Sequence, residues 1–78
     1  MKPKEENILK ALGLRIKALR NERTISQQEL ADEADITQAY LSNIESGQVN
    51  PSATVLYFIA QALQVPISEL MNFKVSDK

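Results

Sequence analysis

Large apolar residues recur with helical spacing in the N-terminal third of the chain. Leu9, Leu12, Ile16 and Leu19 follow one another at intervals of three and four residues. This spacing places their side chains on one face of an α-helix. The pattern predicts a helix over about residues 7–22 whose apolar face packs on a core.

A capping box marks the start of a second helix. Ser26 is followed three residues later by Glu29. In this arrangement each side chain accepts a hydrogen bond from the backbone N–H of the other residue. The predicted helix continues through Leu30 and Ala31 to about Ala34.

A tight turn and a third helix follow. Asp35 tolerates turn geometry, and Ile36 is an apolar residue that can pack between the two helices. Thr37 is expected to cap the third helix, and Gly47 to end it because glycine readily adopts positive φ. Two short helices joined in this way, over about residues 26–46, form the supersecondary unit of many DNA-binding proteins.

Two further helices are predicted in the C-terminal third. Apolar residues at helical spacing, capped by Ser52, predict a helix over residues 53–63. Pro66 is expected to end this helix, because a residue before proline avoids helical backbone angles. Ser68 is expected to cap a short fifth helix over about residues 69–72.

The five predicted helices give an all-α fold with one compact domain over residues 7–73. Residues 1–6 are expected to form a flexible tail, in which Lys2 and Lys4 are also a candidate basic arm for phosphates. Residues 74–78 are expected to be a loose C-terminal end. A chain of 78 residues buries only a modest core, so its stability is expected to be marginal unless something is added.

The third predicted helix has two faces of different chemistry. Leu41 and Ile44 fall together on the apolar side at about 100° per residue. The opposite side carries only small or polar uncharged residues, namely Gln38, Ala39, Ser42, Asn43 and Ser46. Amides and hydroxyls both donate and accept hydrogen bonds, and Gln or Asn can bond an adenine edge in a bidentate way. The face is therefore either a base-reading surface or an ordinary polar helix surface.

Composition argues against an enzyme and against a membrane protein. The chain has no histidine and no cysteine, which removes the commonest general base, the commonest metal ligand and any disulfide. Neither a metal, a cofactor nor a small-molecule ligand is expected. The longest apolar run, from Val55 to Ala60, is far shorter than the ~20 residues that span a bilayer. The N-terminus lacks a signal-peptide pattern, so we expect a soluble, cytoplasmic protein.

Charge is distributed unevenly along the chain. The segment up to Arg23 has seven basic and three acidic residues, a net charge of +4. The remainder has two basic and seven acidic residues, a net charge of −5, and it contains no Lys or Arg before Lys74. Contacts from this part to DNA phosphates would therefore need backbone N–H groups, helix N-termini and neutral side chains.

Short motifs occur in a fixed order through these elements. They are Leu19-Arg20, SQQELA from Ser26, YLSNIESG from Tyr40 and Pro51-Ser52. This series resembles the helix-turn-helix of the phage repressor and Cro family, also called the XRE family, from about residue 12 to residue 70. The small size is similar to that of the controller proteins of restriction-modification systems. The resemblance implies a phage-repressor-like five-helix domain with the helix-turn-helix at helices 2 and 3.

The resemblance also implies roles for individual residues. Arg20 and Glu45 occupy positions that often form an ion pair between the first helix and the recognition helix. The glutamine at the position of Gln27 bonds a phosphate in family members and braces the one at the position of Gln38, which reaches a base or phosphate. Asn43 occupies a base-reading position.

Several further residues are candidates for DNA contact. Ala39 departs from the longer polar residues of some relatives and offers only apolar contact, while Ser42 shares its polar face. Tyr40 is expected to be half-packed at the edge of this face with its hydroxyl near a phosphate. In the family the first helix lies near the DNA backbone, which makes phosphate candidates of Arg15, Lys17 and Arg23.

Neutral donors after the third helix and apolar residues near the C-terminus complete the candidate sites. Loop N–H groups before a helix N-terminus can bind a phosphate, and the candidates there are Gln48, Asn50 and Ser52.

Apolar residues beyond those that a small core requires can mark an interface, here between the copies of a homodimer. The candidates are Phe58, Leu70, Met71 and Phe73, which otherwise complete the core.

These observations predict a sequence-specific DNA-binding regulator of transcription. A homodimer would bind a two-fold symmetric double-stranded operator through the major groove, with half-sites ~34 Å apart. The acidic centre of the chain favours an alternative, a protein-interaction module that keeps the fold without DNA binding.

Overall fold

A computed structural model describes residues 2–75, and it confirms the all-α prediction. The helices are α1 (Pro3–Glu22), α2 (Gln27–Glu33), α3 (Gln38–Glu45), α4 (Ala53–Leu63) and α5 (Ile67–Leu70). No strand occurs among the described residues. The helix α3 packs against both α1 and α2, and α4 packs against α2 and α5. None of the helices in residues 2–75 is long and apolar enough to cross a membrane.

The start of the first helix corrects the prediction of a flexible tail. The helix α1 begins at Pro3 rather than near Asn7. Proline suits a first helical position because its ring presets φ and because the missing N–H would have no intrahelical acceptor there. Glu5 and Glu6 lie in the first turn, where the helix dipole stabilises negative charge. Met1 and residues 76–78 of the two predicted ends lie outside the described residues.

Side-chain caps begin α2, α3 and α4 at the predicted residues. The capping box is complete, since Glu29 N–H donates to Ser26 Oγ over 3.0 Å and Ser26 N–H donates to Glu29 Oε1 over 2.9 Å. The hydrogen bonds from Ser26 lower the pKa of the Glu29 carboxyl. Thr37 and Ser52 each accept one backbone N–H in the same way.

The junction between α4 and α5 differs from the prediction. The helix α4 ends at Gln64, which adopts a left-handed conformation with φ of 60°, before the proline is reached. Val65 N–H then donates to Ala60 O over 3.0 Å, the bond that closes a Schellman motif. The helix α5 begins at Ile67 with Pro66 at its N-cap, so Ser68 lies inside the helix and does not cap it.

One hydrophobic cluster draws on all five helices. The apolar stripes predicted for α1, α3 and α4 are buried, and Ile36 of the turn packs against the cluster as a half-buried residue. Leu70 of α5 is fully buried. The largest fully buried side chains are Ile16, Leu30, Leu41, Ile44, Ile59, Leu63 and Leu70.

Two glycines allow α3 to lie directly on α1. A Cβ atom built on Gly13 would lie 2.5 Å from the carbonyl oxygens of Ile44 and Glu45. Gly47 follows α3 with φ of +76°, and a Cβ there would lie 2.8 Å from Lys10 Cα. Backbone atoms cannot give way as a flexible side chain can, so both positions require glycine.

Replacing Gly13 with alanine is expected to destabilise the domain by about 1–3 kcal/mol, the usual cost of overpacking. Helix propensity acts in the opposite direction, since alanine in a helix is favoured over glycine by ~1 kcal/mol. The measurement is the free energy of unfolding from urea denaturation. The matched control is Ala18→Gly at an exposed position of the same helix, where only propensity acts and a loss of ~1 kcal/mol is expected. A Gly13→Ala variant more stable than the parent chain would contradict the close approach of α1 and α3.

Candidate nucleic-acid interface

The polar face of α3 is exposed, and its apolar face is buried. Leu41 and Ile44 lie in the core, while the residues on the other side are all exposed, namely Gln38, Ala39, Ser42, Asn43 and Ser46. Tyr40 lies at the edge of this face, half-buried against the core. The result is a short helix whose outer surface has hydrogen-bonding groups and no formal charge.

The buried ion pair between Arg20 and Glu45 connects α1 to the end of α3. Arg20 Nε donates to Glu45 Oε2 over 2.8 Å, and Arg20 Nη2 donates to Glu45 Oε1 over 3.0 Å. Arg20 and Glu45 are only 9% and 6% exposed. The bonds to Glu45 raise the pKa of the Arg20 guanidinium. The third bond of Arg20, from Nη1 to Ile25 O over 3.0 Å, fixes the segment that leads into α2.

Gln27 donates a hydrogen bond to the same carboxylate. Its Nε2 donates to Glu45 Oε1 over 3.0 Å, whereas the resemblance implied that it braces Gln38. A carboxylate is the stronger acceptor because its bonds are charge-assisted, and it has acceptor sites left after Arg20 has bound. The carboxylate of Glu45 therefore links all three of α1, α2 and α3.

A polar cleft lies beside this junction. It has a volume of about 190 Å³ and is lined by Lys17, Gln27, Ser42, Glu45 and Ser46. The Lys17 ammonium, the second N–H of the Gln27 amide and the Ser42 hydroxyl are hydrogen-bond donors, whereas Ser46 Oγ–H already donates to Asn43 O over 3.2 Å. The ion pair with Arg20 compensates the negative charge of Glu45, so the cleft can accept an anionic group such as a phosphate.

Two of the three predicted phosphate-binding cations have partners within the protein. Arg15 binds Glu69 of α5 twice, with Nη2 2.7 Å from Oε2 and Nε 2.7 Å from the backbone carbonyl oxygen. Arg23 Nη1 donates to Leu63 O over 2.8 Å at the end of α4, where carbonyls lack intrahelical donors. These arginines connect α1 to the C-terminal helices, a structural role that the resemblance did not indicate. Lys17 instead is exposed beside the polar cleft.

The first two backbone N–H groups of the loop after α3 are bonded within the protein. Gly47 N–H donates to Ile44 O, and Gln48 N–H donates to Asn43 O over 2.9 Å. Helix carbonyls accept the hydrogen bonds of these two N–H groups, so any phosphate contact from the loop backbone would have to come from the residues after Gln48. The side chains of Gln48, Asn50 and Ser52 are exposed, and they remain the candidate donors there.

The predicted dimer residues fall into two groups. Leu70 is fully buried, so it completes the core and its place in the predicted interface is wrong. Phe73 is half-buried against the core, and its place in the interface stays a prediction. Phe58 and Met71 are 42% and 50% exposed. Tyr57 and Ile67 are also exposed on α4 and α5, although the prediction omitted them. The sequence already pointed to Tyr57, because apolar residues occur on more than one face of α4.

The short turn between α2 and α3 and the exposed polar face of α3 define the class of protein, a helix-turn-helix DNA-binding domain. Comparison with protein families agrees, since a helix-turn-helix model matches residues 16–70, more than half of the chain. The chain belongs to this helix-turn-helix family, the XRE family of DNA-binding regulators, and the predicted resemblance is confirmed.

Similar proteins include a phage repressor and a restriction-modification controller. The immunity repressor protein of Bacillus phage phi105 is 40% identical over 61 residues, which cover 78% of this chain and 42% of the repressor. Control protein C.MunI of a Mycoplasma species is 38% identical over 61 residues, which cover 77% of this chain and 82% of that protein. The chain thus spans less than half the length of the phage repressor and most of the length of the controller.

Solved structures of the family superimpose on this fold. The restriction-modification controller protein C.AhdI of Aeromonas hydrophila has a TM-score of 0.77 at 32% identity, over 81% of this chain and 94% of the controller. The P22 c2 repressor protein in complex with a synthetic operator has a TM-score of 0.73 at 26% identity, over 80% of this chain and 94% of the chain in that structure. These relatives are repressors and controllers, as expected for a DNA-binding regulator.

The two ion pairs of the structure differ in burial, which predicts different costs of removal. Glu45→Gln is expected to lower the free energy of unfolding by about 3 kcal/mol or more, because Arg20 would remain buried without a counter-charge. The matched control is Glu69→Gln, which breaks the more exposed pair with Arg15 and is expected to cost ~1 kcal/mol or less. Urea denaturation of both variants measures the difference. Equal costs would mean that Glu45 does not have the structural role described here.

Proposed function

We propose that the protein binds a two-fold symmetric DNA operator as a homodimer and thereby regulates transcription, with α3 in the major groove. The observation that carries the proposal is the exposed, uncharged, hydrogen-bonding face of α3. Gln38 and Asn43 lie on this face, and their amides match the donor and acceptor pattern of an adenine edge. The small Ala39 and Ser42 let the helix approach the bases closely.

Rigid support of α3 strengthens this proposal. A reading helix discriminates bases only if its side chains are held in a defined register, and the backbone contacts at Gly13 and the ion pair at Glu45 hold α3 on α1. The P22 repressor, whose structure is similar, is seen with a synthetic operator. This likeness supports the same mode of binding here.

Phosphate contacts would come mainly from neutral groups. Lys17, Gln27 and Ser42 line the polar cleft, which we assign to one phosphate. Other candidates are the exposed side chains beyond α3 and the edge of its face, namely Tyr40, Gln48, Asn50 and Ser52. Arg15 and Arg23 are left out of this set because their guanidinium groups bind Glu69 and Leu63.

A homodimer is supported by the exposed apolar side chains of α4 and α5. Tyr57, Phe58, Ile67 and Met71 are large apolar residues that remain at the surface. Large apolar side chains left at the surface can belong to an interface. Two copies of α3 would then address half-sites ~34 Å apart, one helical turn of DNA.

The experiment that tests this function is selection of a randomised duplex library on the protein at low salt, followed by sequencing of the retained DNA. An enriched motif with two-fold symmetry is expected. An enriched single half-site would retain base reading but remove the symmetric operator. Absence of any enrichment would favour the second candidate, a protein-interaction module without DNA binding, for which the net charge of −5 after Arg23 is the specific argument.

Asn43→Ala is expected to weaken binding to the selected site by ~1–3 kcal/mol, because one set of hydrogen bonds to a base edge is lost. Binding to random duplex should hardly change, since it depends on phosphate contacts. Fluorescence anisotropy with both duplexes measures the two affinities. The control is Asn21→Ala, since Asn21 is an exposed asparagine at the end of α1. This variant should leave both affinities unchanged. An equal loss on both duplexes would remove Asn43 from the base-reading set.

Met71→Glu is expected to convert the dimer to a monomer, because a charge would be buried in an apolar interface. Sedimentation velocity at several concentrations measures the association state. Ile8→Glu serves as control, since Ile8 is a similarly exposed apolar residue that belongs to α1 and not to the exposed apolar set of α4 and α5. If both variants sediment as the parent chain does, the interface lies elsewhere or the protein is a monomer.

A further inference from the structure

A second surface feature lies away from the reading face of α3. It is an open groove of about 440 Å³ between α1 and the extended segment after α5. The residues that matter for the argument are Lys10, Ala11, Leu14, Arg15, Phe73 and Lys74. Neither the polar face of α3 nor the exposed apolar residues of α4 contribute to its lining.

The floor of the groove is apolar. Leu14 is 64% exposed, the most exposed large apolar side chain among the described residues. Ala11 lies beside it on α1, and Phe73 forms the opposite wall while packing against the core. A single exposed leucine is ordinary at a protein surface, but here it lies with an aromatic wall in a concave site.

The shape of the groove suits a helix. The residues that α1 contributes are spaced at three and four along about two turns, from Asn7 to Arg15, a length of ~12 Å. An amphipathic helix binds such a groove by inserting apolar side chains from successive turns. A groove this open would leave much of a small ligand in water, whereas pockets for small molecules bury most of their ligand.

The positive charge around the groove determines which kind of partner it favours. Lys10 and Lys74 lie at the edge of the groove, and neither forms an ion pair within the described part of the chain. Arg15 adds a third cation, although Glu69 already binds it. None of the groove-lining residues is acidic. Complementary charge across an interface favours an acidic partner and suppresses basic ones.

We propose that this groove is a docking site for an acidic amphipathic helix of a partner protein. The partner would insert two apolar side chains against Leu14 and Phe73 and place carboxylates near Lys10 and Lys74. Lys10 also touches Gly47 at the end of α3, so the docked helix would lie next to the reading helix without covering its polar face. Such a partner could act on the regulator while DNA is bound.

A displayed library of helical peptides, selected on the complete chain, tests the proposal. We expect enriched peptides to carry apolar residues three or four apart together with Asp or Glu. A selected peptide is then synthesised with a fluorescent label, and its affinity is measured for the parent chain and for variants. Leu14→Glu should weaken binding about tenfold or more, the effect of losing one central apolar contact, while Ile8→Glu should not.

The electrostatic part of the proposal has its own variants. Neutralising the rim with Lys10→Gln and Lys74→Gln together should weaken the peptide several-fold at low salt, and less at high salt because exposed charges are screened. Lys4→Gln is the control, since Lys4 is exposed on α1 and does not line the groove. Circular dichroism of each variant establishes that the fold is retained.

Three outcomes would overturn the proposal. The enriched peptides could be neutral or basic, or their binding could be indifferent to Leu14→Glu. Sedimentation could show that Leu14→Glu dissociates a dimer, in which case a second copy of this chain covers the groove. None of these results depends on DNA binding, so the proposed operator function is tested separately.

Discussion

The arrangement of the helix-turn-helix depends on the hydrogen bonds that the Glu45 carboxylate accepts. The carboxylate accepts hydrogen bonds from Arg20 of α1 and from Gln27 of α2, while its own residue ends α3. A buried carboxylate is stable only with a compensating charge and with its acceptor sites occupied. Three helices must therefore meet at one point for Glu45 to be buried at all. This junction sets the angle at which the exposed polar face of α3 is held relative to α1 and α2.

Close backbone contact complements this polar junction. Gly13 brings α1 onto the carbonyl oxygens of Ile44 and Glu45, and Gly47 brings the end of α3 onto Lys10. The two contacts flank the last turn of α3, so the helix is held by sterics as well as by charge. A short helix gains little stability by itself, and a rigid reading surface of eight residues is possible only because of such tertiary contacts.

The distribution of charge distinguishes the reading face from the rest of the surface. Arg15 of α1 and Arg23 directly after it bind α5 and α4, and α3 carries no cation. In the function we propose, phosphate contacts would depend on neutral donors and on the polar cleft beside Glu45, with weak long-range attraction. The lysines around the open groove are thus among the few cations left for another partner.

Local patterns in the sequence determined the starts of α2, α3 and α4 and the outer face of α3. Ser26 with Glu29, Thr37 and Ser52 predicted the caps correctly because capping depends on residues three positions apart. The 3.6-residue period likewise identified Leu41 and Ile44 as core and Asn43 as surface. Only the tertiary structure decided the partners of Arg15, Arg23 and Gln27, and the burial of Leu70. These contacts join residues distant in sequence, such as Arg15 with Glu69, and no local pattern specifies which of several chemically suitable partners will lie within reach.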